Sequence, residues 1–206
     1  QIKYLERART LANQMVSLFG DPKGGAFYST AHDQEQLLIR KKESQDGATP
    51  SDNAVAANVF ARLGQHFQNE DFKEAAIGII EGLGEDIIKV PQIYCKTLQA
   101  ADLLLSDPLE VVFCGPSRSD LGVELKHTVF ATYLPHRVIA HQEAESAHPL
   151  LEGREKIEAE TVLICHHFTC NEPANTVDQV EDQLRKQLDN STRKITMATP
   201  LAGKAT

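Results

Sequence analysis

The apolar residues change their period at Ser106-Asp107-Pro108, and that change limits the folds open to the chain. Before the joint, apolar positions recur every three or four residues, the spacing of one face of a helix. After it, short β-branched runs are bounded by glycine and proline, the pattern of strands. Proline cannot continue a helix and disfavours helical geometry in the residue before it, so the joint reads as the border between two unlike parts. The expected fold class is α+β, with a helical-hairpin part over 1–106, a small α/β part over 107–190 and a flexible tail over 191–206.

In the first part Leu5, Ala8, Leu11, Met15 and Leu18 form one helical stripe that Gly20-Asp21-Pro22 ends. Gly24 to Thr30 and Leu37 to Arg40 flank a polar turn at His32-Asp33-Gln34, which reads as a β-hairpin near 25–40 or a pair of extended arms. Ser51 is placed to cap a helix carrying Val55, Val59, Phe60, Leu63 and Phe67, because its side-chain oxygen can accept an orphan N–H of the first turn. Asn69 stands in the same position before Phe72, Ala76 and Ile79, and a third helix is expected from about Pro91 to Leu105. Short connections between such helices make antiparallel hairpins.

In the second part Leu109 to Cys114, a helical stretch from Ser119 to Tyr133, and Arg137 to His141 read as β-α-β, with the two strands parallel. Thr161 to Cys165 supplies a third strand, and Val177, Val180, Leu184 and Leu188 mark a closing helix. A short parallel sheet is expected.

A net charge of −8 argues against a nucleic-acid binder, since phosphate affinity rests on clustered Lys and Arg. No apolar run approaches the roughly 20 residues of a membrane span, and the opening Gln1 to Arg7 mixes both charges, unlike a signal peptide. Four cysteines, at 95, 114, 165 and 170, are too few and too dispersed for a secreted disulfide scaffold. A cytoplasmic location is expected, with no nucleic-acid or membrane partner and no cofactor or metal. The chain opens in a helical pattern without an initiator Met, as a fragment of a longer protein would.

Two constellations carry chemistry. Around the turn at 45–51, Asp33, Glu35 and Asp46 are candidate catalytic carboxylates, and Arg40, Lys42, Ser51 and Asn53 are candidate substrate-binding groups. A loop before a helix N-terminus can present carboxylate, cation and N–H groups to a polar ligand such as a sugar, and glycoside chemistry needs one carboxylic acid beside one carboxylate. The second constellation is Cys165-His166-His167-Phe168-Thr169-Cys170. It admits three readings: a disulfide or redox pair with a histidine beside it, zinc ligands, or a buried strand end whose histidines face solvent. Cys114 to Ser119 ends a strand and opens a helix, but lacks the glycines and lysine of a phosphate loop. None of these motifs names a reaction.

Several ordered motifs resemble one family. They are Gly24 to Asp33, Leu38 to Glu43 and Asp46 to Ala56, then the strand ending in Cys114-Gly115, Leu134-Pro135-His136-Arg137-Val138, and Cys165 to Cys170 followed by Pro173. Together they look like the C-terminal region of the YyaL-type, spermatogenesis-associated protein 20-like proteins, which carry an N-terminal thioredoxin domain absent from this chain. The chain departs from that pattern at Lys41, Asp52 and Ala54. The resemblance implies the last hairpins of an (α/α) toroid of the six-hairpin glycosidase type followed by an α/β appendage. It implies a carbohydrate-like cleft in the helical part and, as partners, a small carbohydrate, a second copy or the missing N-terminal region of the same protein. The alternatives to carbohydrate binding or processing are a non-catalytic interaction module and a thiol-redox role at Cys165 and Cys170.

Overall fold

Helix α2 (Asp52–Phe67) is the element on which the helical half is assembled. It starts where the Ser51 hydroxyl accepts the Ala54 N–H at 3.2 Å, and it stops at Gln68, which turns left-handed at φ 50°. Asn69 then accepts the Phe72 N–H and starts α3 (Glu70–Gly82). A connection of two residues folds α3 back along α2, and the two pack closely because residue 64 is glycine. A Cβ there would lie 2.6 Å from Lys73 Cγ and 3.2 Å from Asn69 O. The structure, a computed structural model, describes residues 2–34, 39–106, 108–115, 118–142, 148–153, 157–166 and 169–197, with backbone alone over 189–197.

Around that pair lie α1 (Ile2–Phe19), the short α4 (Gly84–Lys89), a 3₁₀ turn at Pro91–Ile93 and α5 (Cys95–Leu105). The core centres on Phe60, whose ring meets Phe27 at 5.4 Å and Phe72 at 5.9 Å, with Ile79, Tyr94 and Leu103 buried around it. Buried Asn58 holds α5 against α2 by donating to Lys96 O at 2.6 Å. Between α1 and α2 the described residues form no strand; the arm with turns and bends over 22–34 is tied to the second where Ser29 N–H donates to Lys41 O at 2.8 Å.

The second half is a sheet with the strands in the order β2-β1-β3-β4: β1 (Leu109–Cys114), β2 (Arg137–His141), β3 (Thr161–His166) and β4 (Thr169–Cys170). Strands β1 and β2 are parallel across α6 (Asp120–Ala131), as the β-α-β pattern requires. The expectation of a parallel sheet needs correction beyond them, because β3 runs antiparallel to β1 and β4 antiparallel to β3. The reason is where the connection runs. Leaving β2 at the end marked by Cys114 and His141, the chain re-enters at that same end, with Thr161 opposite Cys114. A strand that enters from there can only descend.

One face of the sheet, with Val111, Phe113, Val162 and Ile164, packs on α6 and on α7 (Val177–Met197) through Leu125, Val129, Val180 and Leu184. The other face, with Val112, Val138, Ala140 and Leu163, is covered by Leu150 and Leu151 of a 3₁₀ turn that also meets α2. This makes a mixed α+β protein. Helix α7 continues to Met197, past the last apolar position of its spacing, and residues 198–206 lie outside the described part. No helix among the described residues is long and apolar enough to cross a membrane.

Candidate functional site

The arms between α1 and α2 gather five of the predicted polar residues into two groups, Asn53 with Ser51 and Asp46, and Arg40 with Lys42, and the side chains of both groups are engaged. Asn53 is buried at the start of α2, where its Oδ1 accepts the Phe27 N–H at 2.7 Å and its amide donates to Phe27 O at 2.9 Å and Glu43 O at 2.7 Å. One side chain therefore clamps both arms to the helix. Ser51 caps α2 and also donates its hydroxyl to Ser44 O at 2.8 Å. Asp46 accepts the Ser51 N–H at Oδ1 (3.0 Å) and the Lys96 N–H at Oδ2 (2.8 Å). These three side chains hold the loop in shape.

Arg40 and Lys42, two apart on an extended arm, point to the same side and meet Tyr28. The Arg40 guanidinium carbon is 4.0 Å from the ring centroid and Lys42 Nζ 4.7 Å, both within cation–π range. Lys42 Nζ also lies 2.6 Å from Asp21 Oδ2, which accepts the Tyr28 hydroxyl at 3.0 Å, while Asp21 Oδ1 accepts the Lys23 N–H at 2.9 Å. The Lys42 hydrogen bond, with the Lys23 amide second, holds the Asp21 carboxyl down at about 2. Asp33 is exposed on its turn, 3.4 Å from Gln34 Nε2, and Glu35 lies outside the described residues.

Asp21 and Tyr28 belong to this cluster although their sequence context marks them only as a helix stop and an extended residue. The available signal is the aromatic that must pair with two cations spaced by two. Tyr28 also ends a groove of about 570 Å³ between α1 and α2. Ala8, Leu11 and Met15 form one wall, Val55 and Val59 the other, and Asp52 stands at its rim. The groove is open because α1 is under-packed: of its 18 residues only Ala12 is fully buried. Leu11 is 49% exposed and Val55 44%.

Away from the arms, Cys165 and Cys170 face each other across β3 and β4 and are joined in a disulfide, with Cα atoms 3.8 Å apart. Of the three readings of that cluster, the bonded pair is the one formed. His166 Nε2 lies 2.8 Å from Gln187 Oε1 of α7, and His167 is outside the described residues.

No family model matches the chain. Pairwise similarity does: the chain is 26% identical to mouse spermatogenesis-associated protein 20 over 178 residues, 82% of this chain and 22% of that protein. The human protein of the same name is 25% identical over 82% of this chain and 23% of its own length. An uncharacterized protein of Caenorhabditis elegans is 24% identical over 79% of this chain, again 23% of its own length. The chain thus spans less than a quarter of the curated relatives it matches. The resemblance expected from the motifs is found in these comparisons, and the chain is similar to spermatogenesis-associated protein 20 over about four fifths of this chain's length.

Proposed function

We propose that this chain acts as a non-catalytic interaction module, and that the groove between α1 and α2 seats an apolar helix from the rest of a longer protein. The observation that carries this is the under-packed α1 facing α2 across a space lined by Ala8, Leu11, Met15, Val55 and Val59. An apolar trough with one acidic rim residue fits an amphipathic helix better than a sugar, which needs convergent donors and acceptors. The nearest polar groups are already engaged: Asn53, Ser51 and Asp46 tie the loop together, and Lys42 is paired with Asp21. The reading is supported by the length of the relatives, more than three quarters of which lies outside the matched stretch and could carry such a helix. On this reading the helical half is one segment of a larger helical assembly of toroid type.

The test is coexpression with the segment that precedes the matched region in a longer relative, followed by gel filtration. A stable complex is expected, lost in Leu11→Glu and Val55→Glu while the far-ultraviolet circular dichroism of the chain stays unchanged. A chain that stays alone, yet shows saccharide-dependent NMR shifts confined to Tyr28, Arg40 and Lys42, would replace this reading with carbohydrate binding. Dimers formed in the absence of the segment and abolished by the same two substitutions would replace the occupant with a second copy.

A further inference from the structure

The hairpin of β3 and β4 does not need its covalent bond. Strand β3 is held to β1 over five register pairs, and Val162 and Ile164 are fully buried. Past the turn, Asn171 N–H donates to Ile164 O at 3.0 Å, and Val162 and Ala174 exchange two bonds of 2.8 and 3.0 Å. The backbone ladder therefore closes the hairpin by itself. A disulfide spanning a sequence separation of 5 removes less freedom from the unfolded chain than one closing a long loop, because that effect grows with loop length.

The two sulfurs differ in access. Cys165 is fully buried beside Val112, Val138 and Leu163 on the face covered by Leu150 and Leu151. Cys170 is partly exposed on the outermost strand, next to exposed Thr169. A thiolate arriving from solvent meets Cys170 first.

We infer that Cys165–Cys170 is a thiol–disulfide exchange site, entered at Cys170 by a thiol reductant of the glutathione class. The incoming thiolate attacks Cys170 Sγ, a new S–S bond forms there, and the Sγ–Sγ bond breaks with its electron pair leaving on Cys165, which takes a proton from water. A second thiolate attacks the reductant's sulfur in the mixed disulfide and releases Cys170. The protein gains two electrons and two thiols, and two reductant thiols become one disulfide. The departing Cys165 sulfur carries its charge in an apolar layer, so the first step is the slow one.

The test uses the full chain with Cys95→Ser, which removes the exposed thiol outside the pair, in buffers of reduced and oxidised glutathione, with acid quenching, alkylation and mass spectrometry. Reversible gain and loss of two labels on Cys165 and Cys170 is expected, with an unchanged circular dichroism spectrum. In that background Cys165→Ser should trap glutathione on Cys170 about tenfold or more faster than Cys170→Ser traps it on Cys165. A bond that opens only in denaturant, a pair that never forms a disulfide in oxidised glutathione, or equal trapping by the two variants would overturn the assignment. The result is independent of whether the groove binds a helix.

Discussion

His66 Nδ1 lies 3.3 Å from His148 Nε2, joining the end of α2 to the 3₁₀ turn that covers the sheet. His148 Nδ1 accepts the Leu150 N–H at 3.0 Å, so the neutral ring carries its proton on Nε2 and donates it to His66. The contact spans the seam between the two halves and requires both rings uncharged.

The pair gives a pH dependence of known sign. Burial, with the partner ring and Arg62 adding to it, holds His66 down at about 4 from 6.5, and burial does the same for His148. A depressed histidine is neutral when folded and takes its proton first when unfolded. Stability is therefore full above pH 6.5, falls between 6.5 and 4, and levels off below, with a slope of up to about 1.4 kcal/mol per pH unit per histidine. Urea unfolding at pH 7.5, 5.5 and 4.5 measures this. His148→Gln should flatten the curve in that window, and a midpoint that does not move between pH 7.5 and 4.5 refutes the pairing.

Asn53→Ala should destabilise the chain by about 3 kcal/mol, because it removes three hydrogen bonds of a buried side chain and leaves the backbone groups of Phe27 and Glu43 without that partner. Equilibrium denaturation reads the loss directly. If Asn53 instead served a ligand, the midpoint would hold and only binding would change.

Gly115→Ala should be among the most damaging single changes. Residue 115 has φ 83°, and an added Cβ would overlap the backbone carbonyl of Ala159 at the entry to β3. Neither neighbour is a flexible side-chain tip. A cost of about 3 kcal/mol is expected from the backbone conformation and the clash together. Thermal unfolding of the variant checks it, and a wild-type midpoint contradicts it.

Asp21→Asn should loosen the arm at residues 39–43 without unfolding the core, because it removes the charge that pairs with Lys42 and leaves Phe60, Phe27 and Phe72 in contact. Amide hydrogen exchange is expected to speed up at Lys41, Lys42 and Glu43 and stay unchanged in α2. The wild-type carboxyl, held at about 2, keeps the arm in place through pH 4 and releases it only as pH falls towards 2.

Local chemistry was legible before the fold was known. Ser51 and Asn69 cap helices because a short polar side chain preceding an apolar period can do little else as well, and the parallel β1 and β2 follow from a helix between two strands. The direction of β3 was not legible, since the polar stretch from 142 to 160 has no period that separates a crossover from a return at the same end. Asn53 looked like a ligand group because its partner Phe27 is 26 residues away, and nothing in the local sequence marks the pair. The disulfide was one of three readings because a spacing of five fits all of them; register, which places Cys165 opposite Cys170, selects among them.

The carboxylate of Asp46 has a consequence for how the helical half can tolerate change. Helices α2 and α5 both begin beside it, one through Ser51 and the other through Lys96. Two helix starts each carry partial positive charge, and bringing them together is unfavourable unless an anion stands between them. The loop that resembles a berth for an outside anion already holds one of its own, supplied in cis. Substituting the neutral amide at this position would take away the charge that offsets both helix starts and leave Asn58 and the shared apolar core to hold α5 against α2.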